Sequence, residues 1–179
     1  MDGSLAAIIG AAVGAVGGLG GGWLSAVGQL RQHSAQLHSD RERWRDEMRR
    51  DAYIDCLTAT RQLNAAWWKV ADQLTGPGST PTDWHAALLE THDAWARFST
   101  ASSAVAVVGP RTAAAAATEL HGAMREWELF GVQWARAAIA DGQAHTGEYL
   151  ARFESLASAK QGPLAAFQTV SRAVLQTEH

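Results

Sequence analysis

DAYIDCLTATRQLNAAWWKVADQLTGPG, residues 51–78, is the stretch whose reading decides the fold. Tyr53, Leu57, Thr60, Asn64, Trp67, Ala71 and Leu74 recur at alternating spacings of four and three, with Cys56, Leu63 and Val70 beside them. That period predicts one wide apolar face of an amphipathic helix. Gly76-Pro77-Gly78 ends it, since proline cannot continue the ladder and glycine suits the exit turn.

Working downstream, Thr80-Pro81-Thr82-Asp83 supplies an N-cap, a proline at the first helical position and an acid in the first turn. Trp84, Leu88, Thr91, Trp95, Phe98, Ser102 and Val105 carry a second helix to Val108. Gly109-Pro110 breaks it. Ala113, Ala117, Leu120, Met124, Trp127, Gly131, Trp134 and Ala138 hold the same period through a third helix, up to Asp141-Gly142. The last stretch reads as two shorter pieces, about 146–160 and 163–176, divided by Gly162-Pro163. Leu150, Phe153, Leu156, Leu164, Phe167, Val170 and Val174 provide their apolar faces. Four helical segments with short breaks predict an all-α, antiparallel four-helix bundle over residues 51–179. Indoles facing alanines fill its core, because large and small side chains interdigitate. No strand pattern occurs in the sequence.

Working upstream, residues 29–50 contain no glycine or proline. Their only apolar seam is Leu30, Leu37 and Trp44, joined by Met48, with Ser34 and Arg41 at the intermediate positions. Half a seam predicts a solvated helical stalk rather than a coiled coil. Its Arg residues are offset by Asp40, Glu42, Asp46, Glu47 and Asp51, a balance that disfavours a lipid-headgroup site.

Before the stalk lies Leu5–Gly28, LAAIIGAAVGAVGGLGGGWLSAVG. No charged side chain lies between Asp2 and Arg31. As a helix the window reaches about 36 Å, against a hydrocarbon core of about 30 Å. Gly10, Gly14, Gly18 and Gly22 recur every fourth residue, and Gly14, Gly21 and Gly28 every seventh, with Gly10 and Gly17 as a half-turn partner row. Small residues on one face let helix backbones approach closely in lipid. The expected elements are therefore a transmembrane helix over 1–28, self-associating through Gly10, Gly14, Gly17, Gly18, Gly21 and Gly22, then the stalk over 29–50, then the bundle. The alternative is an Ala/Gly helix packed in a soluble assembly. A missing basic n-region and a long apolar run argue for an uncleaved anchor over a signal peptide. Arg31, Arg41, Arg43, Arg45, Arg49 and Arg50 flank the C-terminal side and no Lys or Arg flanks the other. The positive-inside rule then places the chain in the cell membrane as a single pass, N-terminus outside and bundle cytoplasmic, with Trp23 near the inner interface.

Composition excludes some classes. The net charge of -3 argues against nucleic acid as a partner. The single cysteine, Cys56, forms no intramolecular disulfide, and its place in a helical pattern predicts a buried, inert thiol. Arginine outnumbers lysine heavily, Lys69 and Lys160 being the two lysines, in a chain rich in Ala and Gly. A glycine-rich span, the run Trp44-Arg45 to Arg49-Arg50-Asp51-Ala52-Tyr53, and Val107-Val108-Gly109-Pro110 before an Ala-rich helix together resemble a broad group of small actinobacterial membrane proteins. That resemblance implies the architecture of span and cytoplasmic bundle, and no catalytic role.

Catalytic patterns are weak. His85 and His92, with Asp83, Glu90 and Asp93, form the best metal candidate, but helical spacing puts the two imidazoles about 10 Å apart along the axis. No Glu-x-x-His pair of the di-iron kind, nucleophile elbow, P-loop or dinucleotide fingerprint occurs in the sequence. Glu119, Glu126 and Glu128 with Arg125 read as a solvated helix face. Trp67 and Trp68 are adjacent, so one indole points inward and the other sideways; Trp68 then either docks a partner or packs against a neighbouring protomer. No cofactor and no catalytic activity are expected. The expected partners are a second copy through the span, the lipid bilayer and a cytoplasmic protein. A pore built from the glycine helices is the alternative function, and the scarcity of polar residues there, Ser4 and Ser25, favours the interaction module.

Overall fold

The computed structural model describes residues 40–144 and 146–177. The chain divides into two compact units, Met1–Arg45 and Asp46–His179. The Leu5–Gly28 span, its glycine row and Trp23 lie outside the described residues, so the expected anchor and its orientation do too. Of the first unit, residues 40–45 are described; they are helical, with Trp44 63% exposed. The second unit is the bundle. Every regular element among the described residues is a helix, with no strand. None of these helices is long and apolar enough to cross a membrane.

Five helices build the bundle: α1 (residues 46–75), α2 (Pro81–Val108), α3 (Arg111–Asp141), α4 (Thr146–Ala159) and α5 (Gln161–Thr177). Cross-helix contacts fix their directions. Arg49 Nε donates to the Val108 carbonyl at one end of α1 and Lys69 pairs with Glu90 near the other, so α1 and α2 are antiparallel. Ser102 Oγ donates to the Ala117 carbonyl and Phe98 stacks on His121, so α2 and α3 are antiparallel. Trp127 meets Phe153 and Trp134 meets Tyr149, which turns α4 back along α3. Along α1, Trp67 meets Phe153, Asn64 meets Lys160 and Tyr53 meets Phe167. That regular descent makes α4 and α5 two halves of one rod. The fold is an up-down-up-down bundle whose fourth helix is broken once.

The local signals explain the ends. Thr80 and Asp83 close a capping box: the Thr80 N–H donates to Asp83 Oδ2 at 2.9 Å and the Asp83 N–H to Thr80 Oγ1 at 3.4 Å. The pair holds the Asp83 carboxyl below its ordinary range, first through the Thr80 hydroxyl and then through the Thr80 N–H. Gly142 ends α3 with a left-handed φ of 63°, a conformation glycine adopts without steric cost. The break in the fourth rod falls at Lys160 rather than at Gly162-Pro163. Pro163 sits in the first turn of α5, where its missing N–H leaves no ladder bond unmade. The chain stays nearly continuous there, since the Lys160 N–H reaches Leu156 O and the Leu164 N–H reaches Lys160 O.

Trp67, Trp127 and Trp134 are at most 1% exposed and pack around Phe153 in tilted ring contacts in the core. An indole removes about 200 Å² from water, worth on the order of 5 kcal/mol as an upper bound. Room for Trp67 comes from Gly131. A Cβ there would lie 2.5 Å from Trp67 Cζ3 and 2.8 Å from Cε3 and Cη2. The large-against-small packing expected of this core is carried at this crossing by glycine.

Candidate functional site

The α1–α2 seam is an open groove. One reach of about 550 Å³ is lined by Asp55, Thr58, Ala59 and Gln62 from α1 and by Ala96, Arg97, Thr100, Ala101 and Ala104 from α2. A second reach of about 450 Å³ continues from Gln62 and Arg97 to Lys69 and Glu90. The two share Gln62 and Arg97, so they form one trough. Alanines from both helices line it, among them Ala59 and Ala94, which also belong to the core, and charged side chains stand beside them. The outer face of α3 carries the long polar side chains of Arg125, Glu126, Gln133 and Arg136 together with the exposed Leu129. Lys69 Nζ bridges the trough at one end, 2.7 Å and 2.8 Å from the two oxygens of Glu90, with both side chains about half exposed.

The aromatic seam beside α4 holds Trp68. Its side chain stands edge-on to Phe153 at 5.5 Å and lies 6.4 Å from Trp127, while the residue is 36% exposed. One face is thus packed and the other open, as the adjacency to Trp67 predicts. Gly10, Gly14, Gly17, Gly18, Gly21 and Gly22 lie outside the described residues.

The histidine–acid set does not assemble. Asp83 caps α2, Glu90 pairs with Lys69, and the His92 ring Nδ1 lies 3.0 Å from the Leu88 carbonyl, which requires the proton on Nδ1. Among the described residues no group of three His, Cys, Asp or Glu side chains could hold a metal ion. Cys56 is fully buried, and burial pushes its thiol up to about 11. Only thiolate is nucleophilic, so Cys56 is inert at neutral pH.

Two buried charged groups stand out. Glu128 departs from the solvated face expected of it: Glu119, Glu126 and Arg125 are exposed, but Glu128 is only 8% exposed. It falls between the core positions Met124, Trp127 and Gly131. Burial raises its carboxyl to about 7, against the opposing pull of His92 and Arg125. On the same α2–α3 seam His121 lies flat against Phe98 and 5.2 Å from Trp95. Burial and then Arg125 lower its pKa.

Lys160 is 3% exposed. Its Nζ donates to Asn64 Oδ1 at 2.5 Å and lies 4.2 Å from the Trp127 ring centroid. A hydrogen bond and a cation–π contact replace its hydration, and burial lowers its pKa. The lysine tail ties the break in the fourth rod to α1 and α3 together. The sequence signal for it was faint: one of two lysines in an arginine-dominated chain, one helical turn from Leu156 and Ala157. The described residues thus hold an open trough between α1 and α2 and two buried ionisable groups, Glu128 and Lys160. The chain matches no family model, no curated protein and no solved structure.

Proposed function

We propose that the protein is a membrane-anchored, self-associating helical-bundle interaction protein without catalytic activity. Leu5–Gly28 inserts as a single-pass helix, and its glycine row brings copies together. The bundle lies on the cytoplasmic side, where it presents the α1–α2 trough and the open face of Trp68 to protein partners. The observation that carries this reading is the charge-free window between Asp2 and Arg31 with glycine at every fourth position. The trough supports it, because an open face lined in part by alanines suits docking of another helix.

Topology labelling tests the proposal. In a Cys56→Ala background, a cysteine placed at Ser4 should react with an impermeant thiol reagent on intact cells, and one placed at Thr177 should not. Recovery of the chain in the soluble fraction, or the reverse labelling, overturns the reading.

A further inference from the structure

We propose that the α1–α2 trough is the face on which a second copy of this chain docks, about a two-fold axis running parallel to α1. The proposal deepens the self-association reading and rests on it.

The argument begins with the lining. Asp55, Thr58, Gln62, Ala65 and Lys69 on α1, and Glu90, Asp93, Arg97, Ala101 and Ala104 on α2, keep the 3–4 spacing of a helix–helix seam. The alanines among them, Ala65, Ala101 and Ala104, leave room for the longer side chains of a facing copy, so α1 and α2 of two copies would complete a second four-helix layer.

Charge selects both the partner and its direction. At the level of Gln62 on α1 the residue across the trough is Arg97, and at the level of Lys69 it is Glu90. A two-fold axis along the trough sets each α1 position opposite the α2 position of the other copy at the same level. Lys69 then faces Glu90 of the second copy, which makes a quartet of alternating sign with the existing pair. Gln62 faces Arg97, and Asp55 faces Ala104. No like charges stand directly opposite each other on facing helices, and the two Arg97 side chains lie diagonally across the axis. A two-fold axis across the trough, centred at the Gln62–Arg97 level so that the two troughs overlap fully, would instead reverse one copy and set Arg97 directly opposite Arg97. The parallel arrangement also places both α1 N-termini at the same end, as two copies inserted in one membrane in the same orientation require.

Cross-linking the full-length protein in vesicles tests this directly. Chains carrying Gln62→Cys and chains carrying Arg97→Cys, each with Cys56→Ala, are reconstituted together in the same vesicles, with each variant alone in separate vesicles for comparison, then oxidised. A disulfide needs Cβ atoms about 4 Å apart. The inference predicts a disulfide dimer in the mixture and its loss from either variant alone. Mixing Lys69→Glu chains with Glu90→Lys chains should likewise restore the association that each variant alone weakens. A dimer from Arg97→Cys alone overturns the parallel axis. Association through the span with no cross-link in the mixture overturns this inference and leaves self-association standing. No association by any readout removes both.

Discussion

Replacing Gly131 with alanine should destabilise the bundle, although alanine is the better helix former. In an open helical position the exchange gains up to about 1 kcal/mol. At Gly131 the new methyl would sit 2.5–2.8 Å from three atoms of the Trp67 ring, where ordinary contact needs about 3.5 Å or more. The indole has to move by close to 1 Å. It is 1% exposed and packed against Trp127 and Phe153, so the displacement passes into the rest of the core. Overpacking of this kind costs about 1–3 kcal/mol, which offsets or exceeds the helical gain. Gly122 is the internal control: it lies exposed on the same helix, with nothing within 4 Å of an added Cβ. Gly122→Ala should therefore stabilise. Urea unfolding of residues 46–179, followed by tryptophan fluorescence, reads both. The two alanine variants should differ by about 1–3 kcal/mol, with Gly122→Ala the more stable. Adding Trp67→Phe to Gly131→Ala should recover part of the loss. Equal stability of the two alanine variants would refute the Trp67–Gly131 packing.

Three further perturbations follow from the buried charges and the caps. Glu128 is raised to about 7 from 4.5, so its protonated form is favoured by folding; its contribution is full below about 4.5 and is lost as pH rises to about 7. Glu128→Gln should remove that fall, on the order of 2 kcal/mol, and denaturation midpoints measured from pH 4.5 to 8 would show a flatter profile than the parent. Lys160→Ala should cost about 2–4 kcal/mol, because it opens a void and strands Asn64, whereas Lys160→Met keeps the volume and should cost clearly less; thermal melts separate the two. Thr80→Ala should cost about 1 kcal/mol by removing the capping hydroxyl from α2, with Thr80→Ser recovering most of it in the same melts.

Much of the fold was legible because it rests on local signals. Thr80-Pro81-Asp83 specifies the start of α2 by its own hydrogen bonds, and Gly142 the end of α3 by its positive φ. The core positions of α3, from Ala113 to Ala138, follow from helical period alone and are all buried. What stayed hidden depends on which neighbours arrive. Trp95 keeps the period of α2 yet is only half-buried, because it sits at the edge of the α2–α3 seam against His121. Glu128 shares its charge with the exposed Glu126, and only the packing against α2 sets its burial. Lys160 becomes a core residue because the break in the fourth rod turns its tail toward Asn64 and Trp127. The trough was illegible for another reason. Alanine is common throughout the chain, and alanine facing a partner reads the same as alanine facing water.

The association state of the full-length chain tests the central claim most directly. Leucine at Gly14 adds bulk on the glycine row while making the span more hydrophobic, so insertion should be kept while association falls. Leucine at Val16, off the Gly10–Gly14–Gly18 row, is the matched control. The account predicts that the detergent-extracted parent and Val16→Leu run as oligomers by light scattering and that Gly14→Leu shifts toward monomer. Equal oligomers from Gly14→Leu and Val16→Leu would contradict it.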